Sequence, residues 1–403
     1  MAWSLTSQRL ISRSPDLQKL QNEGFDLEIR AGHLLVKDVP YVKADRSVGK
    51  GILVTTVSSA GDTAVAPYTH VAYWVGDFPC DAAGVPMDVL GSPGAAYKVD
   101  DQLTAGHTFS RKPKPSDAYT DYYHKVTTYV AMIETQAQRI NPAATARTFK
   151  PAKLSPEESV FLYTETASGR AGISPMTQKL EGGKVAIVGL GGTGSYVLDF
   201  LAKTPVGEIH LFDAEPFLTH NAFRSPGAPS IEDLEKLPKK VAWFAEIYSR
   251  MRRGIIPHEV HIAATNVADL GPMDSVFLCL DEGSPKRVIV GYLRENRIPF
   301  IDVGMGLYKA GDSLGGIARV TRCTDSKYDH IARRIALDEG EPNEYEQNIQ
   351  IADMNALNAA LAVIRWKKER GFYVDLGKEH STTYTISTNA VANDEVPDED
   401  TDV

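Results

Sequence analysis

Between Lys184 and Ser195 a short apolar run, Val-Ala-Ile-Val, gives way to Gly189-Leu-Gly191-Gly192-Thr193-Gly194-Ser195, and a helix-like segment to Leu201 follows at once. No other stretch restricts the fold as much. Glycines have no Cβ, so they permit a tight turn and let backbone N–H groups come close to phosphate oxygens, while a helix N-terminus adds a favourable partial charge. A nucleotide at the carboxyl end of a parallel strand is therefore expected. The glycine pattern alone also fits NAD and FAD enzymes. Asp213, nineteen residues after Gly194, does not separate the cases, because it stands where a ribose-binding carboxylate belongs in a dinucleotide fold.

Around this turn the chain alternates between strand and helix patterns. Lys184–Val188 and Glu208–Phe212 read as strands, Lys239–Met251 as a helix, and His258–Ile262 and Ser275–Cys279 as strands. Lys286–Asn296 reads as a helix, Pro299–Val303 as a strand, and Asn355–Lys368 as a late helix rich in Ala, Leu and Val. That order predicts a mainly parallel sheet covered by helices, a Rossmann-like α/β domain over residues 155–388. Residues 1–150 differ. A polar helix near Pro15–Asn22 precedes strand-like runs at Phe25–Ile29, His33–Val36, Ile52–Val57 and His70–Val75, and Tyr119–Thr135 has helical periodicity. A smaller, β-rich α+β domain is expected there, joined through the Pro- and Lys-rich stretch Arg147–Pro156.

Three residues and a lysine then point away from a dehydrogenase. Asn221 and Arg224 follow Asp213 by eight and eleven positions, Lys240 opens the next helix, and Asp281 ends the strand at Ser275–Leu280. Adenylation needs such a set: cations to grip a triphosphate, a carboxylate for magnesium, and positive charge where pyrophosphate leaves. In these segments, Lys184–Ser195, Leu211-Phe-Asp-Ala-Glu-Pro-Phe-Leu-Thr-His-Asn-Ala-Phe-Arg224, Lys239-Lys-Val241 and Leu280-Asp281, the chain resembles the ThiF/MoeB family and the adenylation domains of ubiquitin-activating enzymes. The resemblance covers about 200 residues and implies roles for them. Gly189, Gly191, Gly192 and Gly194 form the nucleotide loop, Asp213 takes the ribose hydroxyls, and Asn221, Arg224 and Lys240 take phosphates. Asp281 helps hold Mg2+. Arg170, before the first strand, falls where the family often supplies an arginine across a homodimer interface.

The same resemblance implies ATP and Mg2+ as cofactors and a ubiquitin-like carrier protein as partner, with a conjugating enzyme downstream in a bacterial pathway. Relatives with a structural zinc carry two Cys-x-x-Cys pairs; Cys80, Cys279 and Cys323 are far apart, so no zinc is implied. Many members carry a nucleophilic cysteine in about the place of Cys323, whose neighbours Arg319 and Arg322 would lower its pKa. Thr321, Thr324 and Ser326 offer an oxyester route instead, and adenylation alone is a third possibility. Cys80 is a second acyl-carrier candidate. The first 150 residues loosely resemble a domain of unknown function that precedes ThiF domains in bacterial proteins, in Gly106-His-Thr-Phe-Ser-Arg-Lys-Pro113 and Tyr119–His124, which offer His107 and His124.

Composition removes other classes. The 403 residues, 43% hydrophobic and 24% charged, suit two soluble globular domains. No apolar run approaches the ~20 residues of a membrane span, and the N-terminus lacks a secretory signal, so neither membrane nor export is expected and the cytoplasm is the expected location. The net charge is −9, of which six charges come from Asp394, Glu395, Asp398, Glu399, Asp400 and Asp402, so no nucleic-acid surface is expected. Residues 389–403 read as a disordered acidic tail. The function expected is that of an enzyme that adenylates the C-terminal carboxylate of a ubiquitin-like protein. Sulfur-carrier adenylation for cofactor biosynthesis is the nearer alternative, and an NAD-dependent oxidoreductase the more distant one.

Overall fold

Val185, Ala186, Ile187 and Val188 are each 2% exposed or less, odd residues packing on one side and even residues on the other. A strand buried on both faces belongs in the middle of a sheet covered by helices. In the computed structural model, which describes residues 7–91, 93–280, 283–337 and 349–396, it does. The chain divides into two units, Met1–Ser159 with Tyr163–Ser174, and Val160–Leu162 with Pro175–Val403. Residues 163–174, expected in the second domain, thus group with the first.

The first unit holds a five-stranded antiparallel sheet: β1 (Leu27–Arg30), β2 (His33–Val42), β3 (Val48–Thr56), β4 (Val71–Val75) and β5 (His107–Ser110), in that spatial order. Helix α1 (Pro15–Asn22) and the longer α2 (Tyr122–Gln138) accompany it. The buried face of α2, with Tyr122, Val126, Tyr129, Val130 and Ile133, shares one core with Leu34, Val36, Trp74 and Phe109 of the sheet. A short helix, α3 (Ala167–Ala171), also belongs to this unit.

The second unit is the α/β part. Its strands are β6 (Gly182–Val188), β7 (Val206–Phe212), β8 (Ile255–His258), β9 (Ser275–Leu278), β10 (Phe300–Ala310), β11 (Ser313–Cys323), β12 (Ser381–Thr385) and β13 (Ala390–Asp394). Their spatial order is β8-β7-β6-β9-β10-β11-β12-β13, with β8 through β10 parallel and the remaining pairs antiparallel. On one face α4 (Gly192–Ala202), α5 (Lys240–Tyr248) and α7 (Ala352–Glu369) bury Val197, Leu201, Phe244, Ala359 and Trp366 against Ile187, Leu211 and Phe277. On the other, α6 (Ser284–Glu295) buries Ile289, Val290 and Leu293 against Val188, Val276 and Phe300. The chain leaves β6 toward β7 on one side and later returns to β9 on the other. This change of direction opens a crevice outside the carboxyl ends of β6 and β9, where open α/β sheets bind ligands.

The start of the acidic tail is a correction. Residues 390–394 form β13, paired with β12 over five residues, and Thr382 Oγ1 donates to Asn393 Oδ1 at 2.9 Å. A ladder needs backbone partners rather than large apolar side chains, which is why composition misled. Arg334 Nε lies 2.9 Å from Glu395 Oε1, Arg334 Nη2 3.2 Å from Asp394 Oδ2, and Arg333 Nη2 3.0 Å from Glu395 Oε2. Burial works to raise the Glu395 pKa, and the two arginines overcome it, holding the carboxyl below its ordinary range. Residues 397–403 lie outside the described residues. Truncation after Thr388 is expected to lower the second unit's stability by about 1–2 kcal/mol, or ~3–6 °C in Tm. An unchanged thermal transition would return the segment to a passive tail.

Candidate functional site

The glycine turn is set by backbone crowding. Gly189 has φ +91°, and a Cβ there would also meet the Cys279 carbonyl oxygen at 2.5 Å. A Cβ on Gly194 would lie 1.9 Å from the Gly189 carbonyl oxygen. Both positions bring main chain against main chain, so no side chain can yield. Gly191 differs: the nearest atom to a Cβ there is Gln350 Oε1 at 3.9 Å, and Gly191 is the N-cap of α4. The turn therefore packs tightly on the protein side and leaves room beside Gly191, at the end of the helix where an anion is favoured.

Asp213 follows β7 and is 7% exposed. Its Oδ2 accepts the Leu190 amide and its Oδ1 the Glu215 amide, each at 2.8 Å. The carboxylate thus joins the loop after β6 to the loop after β7 and keeps lone pairs for a ribose. Lys240 Nζ lies 3.7 Å from Asp213 Oδ2 and donates to Glu215 Oε2. Lys240, Lys239 and Lys236 all compete for the phosphate role in the sequence. Only Lys240 is buried; Lys239 donates outward to the Ala214 carbonyl and Lys236 pairs with Asp233. The Lys240 hydrogen bond holds the Glu215 carboxyl below its ordinary pKa.

Asn221 and Arg224 sit in the segment between β7 and α5, Asn221 in a short helix (Thr219–Ala222) and Arg224 just after it. Asn221 is buried, its Oδ1 accepting the Leu218 amide at 2.8 Å, and its Nδ2 has no hydrogen-bond partner. Arg224 is half-buried with its Nε likewise unpartnered. Two buried donors without acceptors on one short segment are costly unless a ligand supplies oxygens. His220 beside them is pushed below its ordinary pKa by burial and by the charges of Arg224 and Lys240. Burial contributes most to that shift, and the charge of Glu215 opposes the two cations.

Asn355, on α7, is absent from the sequence-derived set and proves central. It is fully buried; its Oδ1 accepts from Thr193 Oγ1 at 3.0 Å, and its Nδ2 donates to the Arg224 carbonyl at 3.2 Å. One side chain thus ties the glycine helix to the Arg224 loop. The available signal was two asparagines, 355 and 358, three apart on a helix otherwise rich in Ala, Leu and Val. The same helix packs within the unit through Ala359, Ala362 and Trp366.

Other candidates fare differently. Asp281 lies outside the described residues. Arg170 is on α3 in the first unit, where its Nη2 donates to the Asn22 carbonyl at 3.1 Å. Cys323 is a correction: it is fully buried in the core that holds Val276 and Phe300, and burial pushes its thiol pKa well up. Arg322 does lower it, but pairs with Glu369, and Asp302 opposes it. A neutral, inaccessible thiol is not a nucleophile. Thr321 and Thr324 are buried too, whereas Ser326 is exposed. Cys80 is buried, its Sγ 3.6 Å from the Phe78 carbonyl, and burial raises its pKa as well. His107 Nδ1 accepts the Gly94 amide at 3.1 Å, and His124 Nδ1 lies 3.3 Å from Thr120 Oγ1.

Two outcomes follow. A Cβ on Gly192 would lie 1.9 Å from Asn355 Nδ2. Gly192→Ala and Asn355→Ala should each weaken ATP binding about tenfold, while the double variant should lose clearly less than the product, because the clash vanishes with the amide. Calorimetric affinities that multiply would separate the two residues. In native protein treated with iodoacetamide, Cys323 should stay unmodified and react only after unfolding; peptide mass spectrometry showing rapid native alkylation would restore it as a nucleophile.

Residues 165–365 match the ThiF family, and residues 15–166 match a domain of unknown function (DUF6791). The tRNA threonylcarbamoyladenosine dehydratase of Escherichia coli (strain K12) is 28% identical over 128 residues, which cover 30% of this chain and 45% of the dehydratase. The chain therefore spans less than half the length of that relative. Among solved structures, E. coli MccB with ATP is 20% identical at a TM-score of 0.45, covering 59% of this chain and 70% of that one. PaaA is 16% identical at 0.43, covering 55% and 76%. ThiF family members are adenylyltransferases or related enzymes. Residues 165–365, which carry the glycine turn, Asp213, Asn221, Arg224 and Lys240, are thus a ThiF family domain, with a further domain ahead of it.

Proposed function

We propose that this chain binds ATP with Mg2+ and adenylates the C-terminal carboxylate of a ubiquitin-like carrier protein. A carboxylate oxygen attacks the α-phosphorus, the bond between that phosphorus and the bridging β-phosphate oxygen breaks, and pyrophosphate leaves. The observation that carries this reading is the pair of unpartnered donors, Asn221 Nδ2 and Arg224 Nε. They stand on the segment that Asn355 ties to the glycine helix N-terminus, where the Gly192 amide donates to Gln350 Oε1 at 3.3 Å. In this assignment Gly191, Gly192 and Leu190 line the phosphate side, Asp213 takes the ribose, and Asn221, Arg224 and Lys240 take phosphate oxygens. Lys240 must exchange Glu215 for phosphate, which its flexible stem permits. Asp281 is assigned to the metal, and Arg170 to a partner subunit's site in a homodimer.

The acyl group is then passed on. With Cys323, Thr321 and Thr324 buried, the receiving nucleophile belongs to another protein, such as a conjugating enzyme, or to the exposed Ser326. A bacterial conjugation pathway is the setting we assign to it.

Calorimetry with ATP and Mg2+ should show binding, and NAD should show none. Arg224→Ala should weaken ATP about tenfold or more, since charge-assisted hydrogen bonds are worth ~1.5–3 kcal/mol. Binding of NAD in place of ATP would end the adenylation reading, and unchanged ATP affinity in Arg224→Ala would remove that residue from the site.

A further inference from the structure

Two strands away from β6, at the same carboxyl edge of the sheet, lies a second buried charge cluster. Asp302 on β10 pairs in register with Leu278, the last residue of β9, and is fully buried. Lys286, 3% exposed, places Nζ 2.6 Å from Asp302 Oδ1 and reaches the Leu280 carbonyl at 3.4 Å. Arg319 on β11, in register with Gly304, brings Nη2 to 3.6 Å from Asp302 Oδ2. Gly304 makes room for it, since a Cβ there would lie 2.7 Å from Arg319 Nη2. The Gly304 carbonyl is held in turn by Asn358 Nδ2 at 3.1 Å, from the same helix as Asn355.

Among the described residues two cations share one carboxylate here, which gives the cluster one surplus positive charge. Lys286 is wholly enclosed, and its short contact takes Asp302 first. Arg319 holds only a long contact, is 26% exposed, and keeps its Nε buried without a hydrogen-bond partner. An incompletely paired guanidinium, enclosed but reachable from one side, is a receptor for a planar oxyanion. Its place decides which one. Strands are ~4.8 Å apart, so the guanidinium over β10 sits roughly 10 Å from the glycine turn. It lies on the side of β6 opposite to Asp213 and Lys240, which flank β7. The nucleoside belongs on the β7 side, so what arrives from the β10 side meets the α-phosphate from the other direction.

We propose that Arg319 binds the carboxylate of the acyl substrate and presents it to the α-phosphate, with Lys286 and Asp302 fixing the guanidinium's position. This rests on the adenylation reading above. The substrate class is then a peptide or protein with a free C-terminal carboxylate, and an amidated terminus is refused.

The full-length protein, saturated with Mg2+ and a non-hydrolysable ATP analogue, is titrated with glycylglycine and with glycylglycinamide as probes. Wild type should bind the free acid and not the amide. Arg319→Gln should weaken glycylglycine about tenfold, Arg319→Lys less, and both should bind the ATP analogue within about twofold of wild type. Circular dichroism checks folding, and Arg319→Lys keeps the charge beside Asp302 should Arg319→Gln fail to fold. Equal affinity for acid and amide, no binding of either, or glycylglycine affinity unchanged in the variants would overturn the proposal and leave adenylation standing. A loss of ATP-analogue affinity in a folded Arg319→Gln protein would also overturn it, moving Arg319 to the phosphates. Failure of wild type to bind the analogue would overturn the adenylation reading itself.

Discussion

Asp213 accepts the Leu190 amide on one oxygen and the Glu215 amide on the other, and so fixes the loops that leave the two central strands β6 and β7. Everything else in the nucleotide crevice is hung from those loops. The Leu190 amide belongs to the glycine turn. Glu215 lies in the segment that delivers Asn221 and Arg224, and its carbonyl accepts the amide of Lys240, the first residue of α5. A buried carboxylate costs several kcal/mol unless donors and a countercharge meet it. The two amides and Lys240 Nζ, 3.7 Å away, supply both. Asn355 then closes the circuit from above, linking Thr193 to the Arg224 carbonyl. The crevice walls are therefore rigid where they contact protein and unsatisfied where they face the opening.

What the sequence made legible was local. A strand buried on both faces, a glycine turn and a helix are contiguous in the chain, so their pattern names both the fold and the position of the site. Asp213, Asn221, Arg224 and Lys240 lie within 28 residues of one another and follow the same logic. Asn355 escaped because its partners are more than a hundred residues away, and only the packing of α7 on α4 brings them together. The strand His258–Ile262 was displaced to Ile255–His258, since its β-branched end residues sit before the histidine. The long hairpin of β10 and β11 was only partly foreseen, its glycines at 304, 306, 315 and 316 having broken the apolar run that marks a strand.

Cys323 shows why position in the chain cannot stand for reactivity. Two arginines beside a cysteine suggest a stabilised thiolate, yet strand residues alternate between faces. Arg322 points away from the thiol's side of β11 and engages Glu369, while Arg319 engages Asp302. Burial then dominates and favours the neutral thiol. The consequence reaches function. On the proposed adenylation reading, a domain with Cys323 sealed into its core hands the activated carboxylate to the exposed Ser326 or to a nucleophile on another protein.

The two charge clusters at the sheet's carboxyl edge differ in a way that bears on this division of labour. Beside β7, Asp213 and Glu215 face Lys240 and Arg224, so charge is balanced before any nucleotide binds. There, selectivity must come from geometry: the open backbone at Gly191 and the unpartnered nitrogens of Asn221 and Arg224. Beside β10, among the described residues, Asp302 faces both Lys286 and Arg319, and one positive charge is left over. The chain as a whole carries −9, so this excess is not part of a broadly basic surface and steers nothing from a distance. It acts only on a group already in the crevice. A single negative charge satisfies it, which is what a carboxylate brings. On the proposed reading the surplus favours a carboxylate next to the nucleotide, and the strands β6 and β9 between the two clusters keep the two anions apart until reaction brings them together.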